Sequence, residues 1–244
     1  MPRFFVQSEN ILDGKIKITG DDARHIARAL RMAVGDKITV CDMHGAEHSC
    51  ILEKIRDEEC ICSVLSSEMG KTEPPVQIHL YMAYPKSDKL ETVIQKATEL
   101  GACTVTPFES SRCIKRPDPD KAQKQNARLC RIAMEAAKQC GRSIIPEVLL
   151  PISFDEMLQK AKMCDLALFC YEGDGTLSLK AVLEEATDVK TVSVIVGAEG
   201  GFSINEAESA KKAGLISVNL GPRILRCETA PLYAISAISY KFEL

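Results

Sequence analysis

Two stretches of this 244-residue chain bring a strand end, glycines and charged side chains within a few positions of one another. The first is VIVGAEGG, Val194–Gly201, where a β-branched run through Val196 enters Gly197, Glu199, Gly200 and Gly201. Ser203 and Glu206 follow at the spacing of a helix capping box. Glycine lets the backbone approach a ligand closely or take a positive φ. The same residues also suit a tight strand-to-helix turn. The spacing is not G-x-G-x-x-G, and the Lys-Ser/Thr of a phosphate loop is missing. The second stretch is NLGPRILRCETA, Asn219–Ala230, which leaves a strand at Leu220 and Gly221 and passes Arg223, Ile224, Leu225 and Arg226 before Glu228. Ile224 and Leu225 need something to pack on in a loop, either an apolar ligand face or a neighbouring loop. Two such loops after successive strands could line one pocket at the carboxyl edge of a sheet.

A second kind of chemistry is written in the basic residues. From Arg112 to Arg142 nine of them (Arg112, Lys115, Arg116, Lys121, Lys124, Arg128, Arg131, Lys138, Arg142) face only Asp118, Asp120 and Glu135. Arg24, His25, Arg28 and Arg31 form another cluster at helical spacing. Bases three or four residues apart share a helix face, so each cluster could meet phosphates as a patch, although a solvated face has the same pattern. Cys41, His44, His48 and Cys50 are all possible zinc ligands. They flank a His44-Gly45 turn, however, and strand alternation sends several to opposite faces, so no metal is expected.

The elements that must position these groups fall into two grammars. Over residues 1–70 short strands are expected at Phe4–Gln7, Lys15–Ile18, Lys37–Cys41, Glu47–Ile55 and Cys60–Ser66, with one helix at Asp21–Ala29. That pattern suggests a small barrel or sandwich. Residues 71–75 read as a linker. From residue 76 strands and helices alternate. Strands are expected at Val76–Met82, Cys103–Thr106, Leu166–Tyr171, Val192–Val196 and Ile216–Leu220, and helices at 87–100, Asp120–Gln139, Ser153–Lys162, Leu177–Glu185, Ser203–Ala213 and Glu228–Tyr240. Alternation of this kind predicts an open parallel α/β sheet with helices on both faces.

Composition narrows the class. Hydrophobic residues at 45% and charged residues at 27% exclude a disordered or low-complexity chain. No stretch is apolar enough to span a bilayer, and the start MPRFFVQSEN has no apolar core of a secretory signal, so a cytoplasmic address is expected. Eleven cysteines at irregular spacing in such a chain read as reduced thiols. The net charge of -3 argues against nucleic-acid binding over the whole surface, which leaves the two basic patches to carry it.

The pair VGAEGGFS and LGPRILRCETA, at this spacing and near the C-terminus, resembles the signature of SPOUT-class RNA methyltransferases. RHIARALRM, KSDKLETVIQKATELG, TPFESSRC and EAAKQCGR upstream are similar to one subgroup, the RsmE family of 16S ribosomal RNA uridine-N3 methyltransferases. The resemblance spans nearly the whole chain. It implies a PUA-like RNA-binding β-barrel over residues 1–70, and over 76–244 an open parallel sheet whose C-terminal loops form a trefoil knot. It implies S-adenosylmethionine as cofactor, held by Val196, Gly197, Glu199, Gly200, Gly201, Leu220, Gly221, Ile224, Leu225, Arg226, Thr229 and Ala230. It implies a homodimer acting on 16S rRNA within the small subunit. Ala198 stands where the family often has Pro, and Cys227 where Thr is common, so cofactor affinity is more in doubt than activity.

For that reaction the N3 proton must leave and the resulting anion must be stabilised. Arg226 is the leading candidate for the cation and Arg142 the next; Glu228 or Glu199 is the candidate proton acceptor. Glu228 equally suits a helix N-terminus. RNA contacts are expected from Arg24, His25, Arg28, Arg31, Lys86, Arg112, Lys115, Arg128, Lys138 and Arg142. The alternatives are a related enzyme acting on transfer RNA or 23S RNA, or a non-catalytic RNA-binding assembly protein.

Overall fold

The structure, a computed structural model, describes residues 1–86 and 88–244. Ser87, expected to open the second helix, lies outside the described residues. The chain forms two units, Met1–Glu73 with Ala137–Ile145, and Pro74–Ala136 with Pro146–Leu244. The return of 137–145 to the first unit has a clear anchor. The Glu73 carboxylate accepts hydrogen bonds from Arg142 Nη2 at 2.6 Å, Ser143 N at 3.0 Å and Ile144 N at 3.1 Å.

The first unit holds six strands: β1 (Arg3–Phe5), β2 (Ile11–Leu12), β3 (Lys15–Thr19), β4 (Lys37–Cys41), β5 (Ala46–Ile55) and β6 (Glu59–Met69). Their order is β1-β4-β5-β6-β3-β2, antiparallel except for β1 beside β4. Alternation sets the core. Ile16 and Ile18 of β3 point in while Lys15 and Lys17 point out. The inward side chains, among them Phe4, Ile38, Val40, Cys50, Leu52, Cys60 and Cys62, make one buried cluster. The thiols in it behave as small hydrophobes. The single helix expected at Asp21–Ala29 is instead α1 (Gly20–Arg24) running into a π-helical turn over His25–Ala29. Ala23 and Ile26 from these two pieces join the core, and Arg31 at φ +50° ends the run. Cys41 is buried against the Arg3 guanidinium, and His48 shares a hydrogen bond with Ser67. Among the described residues no three His, Cys, Asp or Glu side chains are grouped to hold a metal ion.

The second unit contains β7 (Gln77–Ala83), α2 (Lys89–Glu99), β8 (Ala102–Glu109), most of α3 (Pro119–Cys140), β9 (Glu147–Val148), β10 (Ile152–Ser153), α4 (Phe154–Ala161), β11 (Leu166–Cys170), β12 (Leu177–Ser178), α5 (Leu179–Glu185), β13 (Thr191–Val196), α6 (Ile204–Lys212), β14 (Ile216–Asn219) and α7 (Ala230–Phe242). The sheet runs β10-β8-β7-β13-β11-β14-β12, with β9 on β8, and every pairing is parallel. The central strand β13 is buried from Val192 to Val196, as a sheet covered on both faces requires. The capping boxes expected at Ser153 and Ser203 are both present. Several boundaries shift by one to three residues from expectation, and two of the differences have a clear local cause. Leu177–Glu185 is a two-residue strand followed by α5, because Ser178 caps that helix by accepting from Ala181 N. The last helix starts at Ala230 rather than Glu228, because Thr229 N and Ala230 N both bond to Arg226 O in a preceding turn. Among the described residues no helix is long and apolar enough to cross a membrane.

Candidate active site

Strands β13, β11 and β14 lie side by side, and the loops leaving their carboxyl ends line one cavity of about 700 Å³. That volume lies in the range of small-molecule sites. The first loop contributes Val196 to Phe202, and the third contributes Val218 to Cys227 with Ala230. Between them the loop after β11 adds Cys170, Tyr171, Glu172 and Gly173. Lys89 and Arg112 complete the lining.

The first loop is shaped by local packing. Gly201 N bonds Ala198 O at 2.9 Å, and Gly201 sits at φ +61°, in the left-handed region that glycine tolerates. Gly200 lies against Arg112, where a Cβ would come 3.1 Å from Arg112 Cβ and 3.2 Å from its carbonyl oxygen. Phe202 pins the loop's end: its ring centroid is 4.2 Å from that of Phe169, and it also meets Phe108 and Phe154. The helix behind is locked by Glu206, a nearly buried carboxylate that accepts from Ser111 N at 2.7 Å, Ser111 Oγ at 2.8 Å and Ser203 N at 2.8 Å. Burial pushes the Glu206 carboxyl up, but these bonds outweigh it and hold the group below the usual glutamate range.

Charge gathers around Lys89. Its Nζ is 3.1 Å from Glu199 Oε1 and 3.1 Å from Glu228 Oε2, and 3.7 Å from Cys227 Sγ. Glu199 also accepts from Lys86 N. For both carboxyls burial acts upward, and is outweighed by hydrogen bonds and Lys89, so both lie below the usual range. The two carboxylates hold the Lys89 ammonium well above the ordinary lysine range. Burial and the Glu228 carboxylate push the Cys227 thiol up to about 11, which keeps it protonated at neutral pH.

Of the residues expected at a cofactor, Val196, Gly197, Glu199, Gly200, Gly201, Leu220, Gly221, Ile224, Leu225, Arg226 and Ala230 line the cavity; Thr229 does not. Ile224 does not find the packing partner its apolar side chain calls for: it is 82% exposed, at the cavity's edge. The Arg226 side chain is exposed and makes no ion pair among the described residues. Arg142 belongs to the first unit, where the residue is buried and its guanidinium is held by Glu73. Lys138 pairs with Asp22 at 2.7 Å in the same unit. Arg24, His25, Arg28 and Arg31 are exposed there, with Arg24 bridged to Asp21 and Arg28 to Asp57. In the second unit Lys86, Arg112, Lys115 and Arg128 are exposed. Arg128 pairs with Glu91 at 2.9 Å, and Lys115 lies over the Tyr84 ring. Lys89, Tyr171, Glu172 and Gly173 were not expected at the site. Tyr171-Glu172-Gly173 does follow a strand end, a signal of the same kind as the other two loops.

Comparison with known proteins places this architecture. A family model described as an RNA methyltransferase domain matches residues 72–239, and one described as an RNA methyltransferase PUA domain matches residues 18–65. The ribosomal RNA small subunit methyltransferase E of Bacillus subtilis is 36% identical over 100% of this chain and 98% of its own length. The protein of that name from Synechocystis is 30% identical over 99% of this chain and 78% of its own. The crystal structure of a ribosomal RNA small subunit methyltransferase E from Neisseria gonorrhoeae, bound to S-adenosyl methionine, superposes with a TM-score of 0.86 at 30% identity, covering 98% of this chain and 97% of that one. With a PUA-type unit ahead of a parallel α/β unit whose loops enclose the cavity, the chain belongs to the ribosomal RNA small subunit methyltransferase E family of RNA methyltransferases.

Proposed function

We propose that this chain uses S-adenosylmethionine to methylate N3 of one uridine in the 16S RNA of the small ribosomal subunit. The observation that carries the reading is the three-loop cavity. Val196, Phe202, Val218, Leu220 and Leu225 give it apolar walls, the glycine loops offer backbone groups, and cations and carboxylates stand at its edge. That donor set fits a nucleoside bearing a charged amino-acid tail. Backbone from Gly197 to Gly201 and from Leu220 to Arg226 would hold it. When bound, the cofactor supplies an electrophilic methyl group on a sulfonium.

The chain's own residues then have two tasks. The uracil N3 proton must be taken, for which Glu228 and Glu199 are the candidates. The negative charge that spreads over N3, O2 and O4 must be met by a fixed cation. Arg226 suits that role because it lines the cavity with its guanidinium uncommitted among the described residues. Arg142 does not line the cavity and is engaged by Glu73. Exposed Arg24, His25, Arg28 and Arg31 of the PUA-type unit, and Lys86, Arg112, Lys115 and Arg128 of the other, would hold RNA mainly through phosphates. A homodimer, the C-terminal knot and a cytoplasmic location belong to the same reading. Exposed Tyr233, Tyr240 and Ile224 near the C-terminus support the dimer.

The test is to incubate the protein with methyl-labelled S-adenosylmethionine and, separately, small subunits, large subunits and transfer RNA. Label is expected in 16S RNA alone. Label in another RNA would shift the substrate, and cofactor binding without transfer to any of them would make the chain an RNA-binding protein.

A further inference from the structure

Among the described residues Lys89 is the one cavity-lining cation that contacts two carboxylates at once, Glu199 and Glu228, each 3.1 Å from its Nζ. All three side chains are about a quarter exposed; Lys89 and Glu199 line the cavity, and Glu228 stands beside it, next to the lining residue Cys227. The carboxylates come from different loops. Glu199 is in the turn after β13, whereas Glu228 is in the turn before α7. Without an ammonium between them, their like charges would favour protonating one of the two. Glu199 is held from a second side by Lys86 N, while the Lys89 and Cys227 contacts of Glu228 both fall on Oε2.

We propose that Lys89 is a positioning residue for methyl transfer, keeping Glu199 and Glu228 together as an ionised pair so that Glu228, through Oε1, takes the uracil N3 proton. This inference rests on the methyl-transfer reading above. In the step, the N3 proton passes to the carboxylate oxygen and the N–H electron pair stays on N3. That pair forms the new N–CH3 bond, while the breaking C–S pair goes to sulfur and leaves a neutral thioether. The titratable groups facing the pair are Lys89 from α2 and the Cys227 thiol. Cys227 is protonated throughout the working range. Activity therefore falls in acid as Glu228 takes up its proton, and the position of that acidic limb depends on Lys89.

The experiment compares K89M, K89R and the unaltered protein, measuring cofactor affinity by calorimetry and kcat for methyl transfer to small subunits between about pH 3.5 and 9, so that a limb below the ordinary glutamate value of 4.5 falls inside the range. Removing an adjacent opposite charge raises a carboxyl by roughly one unit or more. K89M should bind S-adenosylmethionine within about threefold of the unaltered protein while its acidic limb moves up by about one pH unit. K89R should restore the limb. A limb that stays in place in K89M, or a loss of affinity as large as the loss of kcat, overturns the proposal. If K89M does not fold, E228Q decides: the acidic limb should vanish, and its persistence overturns the proposal. An unaltered protein that methylates no RNA would fail the functional reading instead, before the variants are compared.

Discussion

The Arg112 guanidinium donates to the Gly200 carbonyl at 3.1 Å, and the two residues are so close that a Cβ on Gly200 would meet Arg112 Cβ at 3.1 Å. Arg112 thus belongs to the basic segment expected to face RNA and also braces the glycine turn of the cavity. The glycine is needed here for a neighbouring side chain, in addition to anything a ligand requires. G200A should force Arg112 or the turn to shift by a few tenths of an ångström. Overpacking of this kind costs about 1–3 kcal/mol. Tm should fall by several degrees, and calorimetry should show S-adenosylmethionine affinity reduced by about tenfold as the turn shifts. Unchanged affinity would mean that the turn does not set the cofactor's place.

Arg226 is expected to act on the reaction and little on the ground state. Its side chain is exposed at the cavity and carries no ion pair among the described residues, so removing it breaks no internal contact. R226A should lower kcat by about 10²–10³, the scale of losing one transition-state charge contact. Cofactor affinity should stay within about threefold. Equal losses in both would make it a cofactor-binding group.

Glu206 gives a stability prediction with a sign in pH. Its carboxyl lies below the ordinary value of 4.5 in the folded protein. A depressed carboxyl stabilises the fold fully above its unfolded value and loses that contribution as pH falls through the folded value. E206Q replaces an acceptor of Ser111 and Ser203 N–H bonds with a group that must point a donor at one of them. It should cost about 1–3 kcal/mol at neutral pH, and the difference from the unaltered protein should shrink below about pH 4. Thermal melts from about pH 3 to 7 check this, and a difference independent of pH would contradict it.

Arg142 should matter for stability of the first unit. R142M leaves Glu73 with Ser143 N and Ile144 N as partners but without its charge. Breaking a largely buried pair from one side costs about 3–5 kcal/mol. A large fall in Tm is expected; unchanged Tm with weakened RNA binding would return Arg142 to the RNA-facing surface.

What could be read from the sequence follows the range of the interactions. The two glycine loops are legible because strand end, glycine and charged residues are neighbours in the chain, with a capping box behind the first. The loop after β11, Tyr171 to Gly173, is not legible in this way, because its place depends on β11 lying between β13 and β14, a strand order no local pattern states. Lys89 carries no local signal of its role, because its partners Glu199 and Glu228 lie more than a hundred residues away. Arg142 and Lys138 are expected at RNA, and Arg142 also at the reacting base; their pairing with Glu73 and Asp22 is not legible locally, since those partners come from distant parts of the chain. The π turn at His25–Ala29 has the composition of an ordinary helix, and no local pattern marks it. The exposed Ile224 was expected to be packed, and its own chain does not cover it.

The most direct measurement is the identity of the modified nucleoside. Small subunits lacking the modification are incubated with the protein and methyl-labelled S-adenosylmethionine, and the 16S RNA is digested and analysed by mass spectrometry. Label on N3 of a single uridine, entering about 10²–10³-fold more slowly in R226A, is the predicted result. Label on a ribose hydroxyl or another base, or N3 label undiminished in R226A, would contradict a site in which that arginine and the neighbouring carboxylates prepare a ring nitrogen.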